Sequence, residues 1–477
     1  MRFVRLTLLL LWLAPAVYAE GLPDLGDASQ ALLSPQQERQ LGESIMREIR
    51  NSNGFLDDPE ITDYLNNLGY RLVANSPETR QQFEFFVIRD NSINAFALPG
   101  GFIGVHTGLL LATQSESELA SVLAHEISHV EQKHLARMLS QQRQSSLTSL
   151  AALAVAILSA RSDAQVSQAA LATAQAGAMQ SQLNFTREHE READRIGLQI
   201  LEKGGFDVHA MPTFFERLQK ATRLYEGNAP SYLRTHPLTF ERIADVQNRT
   251  QSLAYRQVAD SAEFHLVRAM LRASFDDARE AATYFESSLK EKRYAMEAAS
   301  RYGLTLALLR AKNYARAKQE MAALRKLLPR HPMVETLDGQ LKLAAGDNDA
   351  ALRLYREALK NFPHYRNLVY DYAEALLQNR RAGEALQLIN SQLQFTPDDY
   401  HLYALQARGY AATGKTMLQH RAQAEAYARF GNLGAAIEQL QFALKSAEGD
   451  FYQISSIESR LRELQALDRE QQTPPMP

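Results

Sequence analysis

Between Ser115 and Val130 the apolar residues Leu119, Val122, Leu123, Ile127 and Val130 fall on one stripe at about 100° per residue, which predicts a helix with a core face. Ser115 followed three residues later by Glu118 reads as the capping box that starts it. Upstream, the aromatic and β-branched run Phe83–Ile88 and the Gly-punctuated run Asn94–Val105 predict a small antiparallel sheet beside the helices. From Leu32 to Val246 helical stretches surround this strand-rich patch, whereas from Ala262 to Leu467 the pattern is helical throughout. The change of texture falls near Leu253–Asp260, so the expected fold is mostly α, in two parts.

The second part repeats. Ala317, Ala351 and Ala385 are spaced by 34 residues, and so are Pro329, Pro363 and Pro397, with Met321, Tyr355 and Ile389 in the large apolar slot between them. One unit runs from Gly339 to Pro363; another lies around Ala269, Ala281 and Phe285, and a weaker one around Ala436 and Ala443. Generic helical hairpins would not repeat several positions together. The pattern resembles a tetratricopeptide array of four or five helix–turn–helix units. Such units cannot bury their apolar faces alone and stack into an α-solenoid whose concave face binds protein segments.

The 477 residues exceed what one core supports, which agrees with two folded domains. A net charge of −3 offers no basic face to nucleic acid, so that class of partner is set aside. With no cysteine, redox catalysis and thiolate metal sites are excluded, and any metal must sit on His and carboxylate. The first residues carry Arg2 and Arg5, an apolar run Leu6–Leu13 and the small-x-small site Val17-Tyr18-Ala19. They predict a signal peptide over 1–19, cleaved before Glu20, and an exported protein. The apolar run is shorter than the roughly 20 residues that span a bilayer. The expected division is a first domain over 20–255, the array over 256–470 and a Pro-rich tail over 471–477.

The helix around Ser115–Val130 contains His125-Glu126-Ile127-Ser128-His129. Two imidazoles at i and i+4 lie one turn apart and can reach one tetrahedral Zn²⁺. Glu126 falls inside the apolar stripe, where an ionised carboxylate is costly unless a cation or partner stands beside it. A catalytic zinc usually has a third protein ligand. The segment Glu188–Asp194 offers Glu188, His189, Glu190 and Glu192, and residue chemistry alone leaves all four open.

The segment HEISH, with NAFALPGGFIGVHTGLL before it and EREADRIGL and THPLTFERIAD after it, resembles the gluzincin family that includes the CAAX prenyl proteases and the HtpX heat-shock proteases. The likeness covers roughly Glu38 to Asn248. It implies a helical zincin domain with one Zn²⁺ per chain, held by His125, His129 and Glu190, with Asp194 orienting a ligand from behind. It also implies that Glu126 is the general base of a metalloendopeptidase, and that His236 and Arg242 lie near the zinc. Arg242 would position carboxylates or stabilise the oxyanion, against the alternative of a surface salt bridge. His236 would donate to the oxyanion or occupy the fourth zinc position at rest, against the alternative of a structural histidine. Family enzymes bind extended peptides along an edge strand, which would fall on Gly101, Phe102, Ile103, Gly104 and Val105 or else be an interior hairpin. His106 and His134 are read as structural.

The Ala-rich insertion Leu147–Met179 departs from membrane-spanning relatives, being too interrupted for a span. It predicts a helical hairpin that covers the cleft or touches a membrane surface, or one that merely packs. A peptidase of this kind joined to such an array behind a leader resembles a family of bacterial periplasmic proteases, and that resemblance implies a quality-control enzyme. Its substrates would be unfolded or misassembled outer-membrane proteins, and its array would dock on the outer-membrane β-barrel assembly machinery, with a chaperone role in barrel maturation. Two other readings stay open: a scaffold or chaperone whose zinc site is silent, and an exported peptidase acting on lipoproteins.

Overall fold

The computed structural model describes residues 34–77, 81–141, 187–224, 230–446 and 448–472. The expected signal peptide, the Ala-rich insertion and the end of the tail lie outside the described residues. Among the described residues no helix is long and apolar enough to cross a membrane.

Helix α1 (Pro35–Arg50) starts at a capping box in which Ser34 Oγ accepts from Gln37 N and Gln37 Oε1 accepts from Ser34 N. Helix α2 (Pro59–Val73) is capped by Asp58. Three strands follow: β1 (Glu84–Ile88), β2 (Ala95–Leu98) and β3 (Phe102–His106). Their order is β1-β3-β2, with β3 parallel to β1 and antiparallel to β2. The sheet is therefore mixed, where the sequence pattern predicted an antiparallel one.

This order corrects the expected substrate strand. Gly101 closes the tight turn Pro99–Gly101, and Phe102–Val105 lie in the middle strand, paired on both sides and buried throughout. A strand with both hydrogen-bonding edges taken cannot accept another chain. Gly100 (φ 77) and Gly101 (φ 87) serve the turn, because a Cβ on Gly101 would stand 2.0 Å from Gln82 O. The free edge is β2. His106 N donates to Asn94 O, so the bonded pairs alternate through 94/106, 96/104 and 98/102. The main-chain groups of Ala95 and Ala97 therefore point to the outer edge, where no strand among the described residues pairs with them; Ala95 is wholly buried there, and Ala97 is partly exposed.

After the short helix α3 (Thr107–Ala112) comes α4 (Glu116–Glu131), which is buried on every side, with no solvent face opposite the predicted stripe. Its charged start is satisfied from far along the chain. Arg217 grips Glu118 with both guanidinium nitrogens, and the Glu116 carboxylate accepts from Tyr64 Oη at 3.1 Å and from Ser261 Oγ at 2.6 Å. Around α4 pack α5 (His134–Gln141), α6 (Arg187–Lys203), α7 (Ala210–Leu224), α8 (Ser231–Thr235) and α9 (Phe240–Gln251).

Beyond these, the described residues form helical pairs whose first members begin at 262, 297, 332, 366, 400 and 433, which makes six pairs among the described residues where four or five were expected. The spacing follows from close packing: a Cβ on Gly339 would lie 2.2 Å from the Tyr355 ring, and Ala317, Ala351 and Ala385 are wholly buried. One apolar core runs from Leu56 through Leu123 and Phe264 to Leu341, so the first pairs are fused to the domain that precedes them. Further along, the array touches that domain again. Arg366 Nη1 lies 2.7 Å from Asp63 Oδ1, Asn367 donates to Glu60 at 2.9 Å, and Tyr365, Tyr400 and His401 bond to Glu60 and Asp57.

Candidate metal centre

Four elements converge on one buried point. α4 contributes His125, Glu126 and His129; α6 contributes Glu190 and Asp194; His236 caps the C-terminus of α8; and Arg242 stands in the first turn of α9, capped by Thr239. Gly197 lets α6 approach α4, since a Cβ there would already stand 3.1 Å from His125 N. All seven of these side chains are buried, Glu126 completely.

One ligand atom each from His125, His129, Glu190 and His236 lie within 4.8 Å of one another. His125 Nε2 is 3.0 Å from His129 Nε2 and 3.3 Å from His236 Nδ1; Glu190 Oε1 is 3.0 Å from His236 Nδ1 and 3.5 Å from His129 Nε2. His125 Nδ1 lies 3.0 Å from Asp194 Oδ1, which claims the proton on that side and turns the Nε2 lone pair inward. Imidazole lone pairs and a carboxylate facing one another at such distances fit a divalent cation, and the His₃Glu donor set suits zinc.

Arg242 is not on the surface. Nε and Nη2 form a fork on Asp194 at 2.7 and 2.8 Å, while Nη1 reaches Glu190 Oε2 at 2.6 Å and Pro237 O at 2.9 Å. The guanidinium is thus engaged by protein groups, which fits holding carboxylates and not an oxyanion. The expected strand Phe102–Val105 is not brought to the centre by its edge. Instead β2 is: Ala97 and Leu98 share a surface groove with His129, Val130 and Lys133.

The charges are strongly interdependent. Burial raises the Glu126 carboxyl above its ordinary 4.5, although His236 and His125 pull it down. For Glu190 burial also opposes ionisation, but His236 and Arg242 outweigh it and hold the carboxyl well below the ordinary range. Asp194 is likewise lowered against its burial, by Arg242 and His125. Burial draws His125 down, yet Asp194 and Glu190 raise it to about 9, whereas burial and the neighbouring His125 leave His129 well below its ordinary 6.5. Among the described residues neither Glu126 oxygen has a hydrogen-bond partner, and His236 Nε2 lies 3.5 Å from Glu126 Oε1.

Two residues here were missed or underrated in the sequence. Tyr232 stacks on His236 at 4.8 Å between ring centroids, with its hydroxyl buried and unpartnered, and its sequence context gives no hint of this. His134, read as structural, lies 2.9 Å from His129 Nδ1. Lys133, in the left-handed region at φ 51, folds the chain back there, and a lysine in that conformation leaves no sequence signal.

A buried His/Glu cluster on a His-Glu-x-x-His helix, followed by a helical-pair array, defines a metalloprotease joined to a tetratricopeptide domain. Residues 59–250 match peptidase family M48, and residues 342–409 match a tetratricopeptide repeat family. The chain is 36% identical over 459 residues to the "Beta-barrel assembly-enhancing protease" of Escherichia coli (strain K12), covering 94% of this chain and 92% of that one. To the "Putative beta-barrel assembly-enhancing protease" of Vibrio cholerae it is 36% identical over 419 residues, 87% of this chain and 86% of that one. The "Mitochondrial metalloendopeptidase OMA1" of Schizosaccharomyces pombe is 32% identical over 213 residues, 44% of this chain and 60% of that one. The chain belongs to the family of these β-barrel assembly-enhancing proteases, with a peptidase half of the M48 type.

Proposed function

We propose that this protein is a periplasmic zinc metalloendopeptidase that degrades misassembled outer-membrane barrel precursors and docks on the β-barrel assembly machinery through its repeats, assisting barrel maturation there. The observation that carries the peptidase reading is the buried meeting of His125, His129, Glu190 and His236 beside an unpartnered Glu126. The setting in barrel assembly rests on the names of the relatives, and the substrates, the docking partner and the compartment are inferred from it and from the leader expected over 1–19.

His125, His129 and Glu190 would hold the ion, with His236 in the fourth position at rest. Zinc held there supplies Lewis acidity, polarising a scissile carbonyl and making water a better acid. Glu126 would take the proton of the attacking water and pass it to the leaving amide nitrogen. Asp194 fixes the tautomer of His125, and Arg242 balances the charge of Asp194 and Glu190. His236 would have to leave that position for water and substrate to enter, so its seat would restrain basal activity. An extended substrate segment would pair with the outer edge of β2 through the main chain of Ala97, a mode that would tolerate many sequences.

The test is metal content by elemental analysis together with casein cleavage, for the intact protein and for Glu126→Gln. One zinc in both proteins, with cleavage only by the unsubstituted one, is the expected result. Equal cleavage by both would overturn the assignment of Glu126 as base.

A further inference from the structure

Each of the two helix histidines needs its Nδ1 occupied if its Nε2 is to face the centre. For His125 the partner is Asp194, directly. For His129 the partner is another imidazole: its Nδ1 faces the Nδ1 of His134 at 2.9 Å. On the far side of that ring, His134 Nε2 lies 3.1 Å from Glu192 Oε2, and the same oxygen accepts from Arg137 Nη1 at 3.0 Å.

With His134 neutral, the protons along this line fall in one order. A carboxylate accepts, so His134 Nε2 carries a proton and donates it to Glu192. In a neutral imidazole the other nitrogen then holds a lone pair, so His134 Nδ1 accepts from His129. His129 therefore carries its proton on Nδ1, and its Nε2 lone pair points at His125 Nε2 and Glu190 Oε1, 3.0 and 3.5 Å away. The ring of His134 is fixed in the required plane: it is fully buried and stacks on His189 with centroids 4.4 Å apart at 18°. The carboxylate at the end of the line comes from α6, the helix that also brings Glu190, so both helices lock the same tautomer.

We propose that His134, oriented by Glu192, is a positioning residue for the metal centre: it accepts the Nδ1 proton of His129 and so commits the His129 Nε2 lone pair to the ion. This rests on the reading of His129 as a ligand. It gives the two ligand histidines of one helix different supports, a direct carboxylate for His125 and a carboxylate relayed through a second imidazole for His129. Partners behind a ligating histidine typically change metal affinity about 10–100-fold.

The measurement is zinc affinity by competition with a chromophoric chelator, on the full chain, for His134→Phe, His134→Asn and Glu192→Gln, with circular dichroism melting as a check on folding. His134→Phe keeps a ring but removes the acceptor, and is expected to weaken zinc binding about 10–100-fold. His134→Asn puts an amide oxygen near the Nδ1 position and should recover most of that loss. Glu192→Gln, at a partly exposed position, should weaken binding by several-fold while melting as the unsubstituted protein does. Unchanged affinity in all three variants would overturn the proposal, as would a Phe loss that Asn does not recover together with an unchanged Glu192→Gln. Zinc binding by His129→Ala equal to that of the unsubstituted protein would instead overturn the ligand assignment beneath it.

Discussion

Glu60 tests how the two halves are held together. It stands in the first turn of α2, is 4% exposed, and accepts hydrogen bonds from the Tyr365 hydroxyl and from Asn367 Nδ2 at 2.9 Å, both on the array. Burial raises its carboxyl to about 8, against the pull of those two hydrogen bonds, and the carboxylates of Asp58 and Asp371 push in the same direction. A group whose folded pKa lies above its unfolded value binds the proton more tightly when folded. Its contribution is complete below the ordinary 4.5 and is lost as pH rises through about 8. At about 1.4 kcal/mol per pH unit that window caps the effect at about 5 kcal/mol, and structural relaxation brings the expected loss to about 1–3 kcal/mol.

Glu60→Gln mimics the protonated acid: its amide oxygen accepts from Asn367, and the Tyr365 hydroxyl can turn to accept from its amide nitrogen. Urea unfolding followed by far-ultraviolet circular dichroism should find the two proteins similar at about pH 5 and the variant the more stable above about pH 8. Asp371, which burial raises to about 7, titrates in both proteins and largely cancels from the comparison. Parallel pH profiles would refute the reasoning. They would mean that Tyr365 and Asn367 hold Glu60 ionised in the folded protein, and that their hydrogen bonds outweigh its burial.

Three further predictions concern the metal centre. Arg242→Ala strands the buried carboxylates of Asp194 and Glu190 and should cost about 3–5 kcal/mol in unfolding free energy. Arg242→Lys should restore only part of this, because an ammonium cannot reproduce the fork on Asp194; equal stability of the Lys variant would refute that role. His236→Ala should raise basal casein cleavage if the imidazole restrains the site, and a plain loss of cleavage would sink that reading. Ala97→Pro removes a main-chain N–H from the outer edge of β2 without touching the bonds to β3; it should lower cleavage with zinc content unchanged, and undiminished cleavage would exclude β2 as the substrate strand.

The array was readable because its period is enforced locally: a small residue must recur wherever a large ring of the next helix closes in, as Gly339 does under Tyr355. The ligands on α4 were readable for a similar reason, since i and i+4 fix a shared face whatever surrounds the helix. What surrounds it was not. Glu116 and Glu118 have the look of a solvated helix start, and only the arrival of Tyr64, Arg217 and Ser261 from elsewhere in the chain makes their burial tolerable. Strand order was hidden too, because alternation records which face is buried and says nothing about which edge is free. The Gly-rich strand looked open to a substrate, yet its glycines serve a turn and the close approach of the Phe86 and Phe96 rings to Gly104. His134 shows the same limit at the metal centre. Its role depends on a left-handed Lys133 and on a carboxylate 58 residues away, so spacing rules that find ligands cannot find what orients them. Supports of that kind are seen only once the fold has brought the two ends of the chain of hydrogen bonds together.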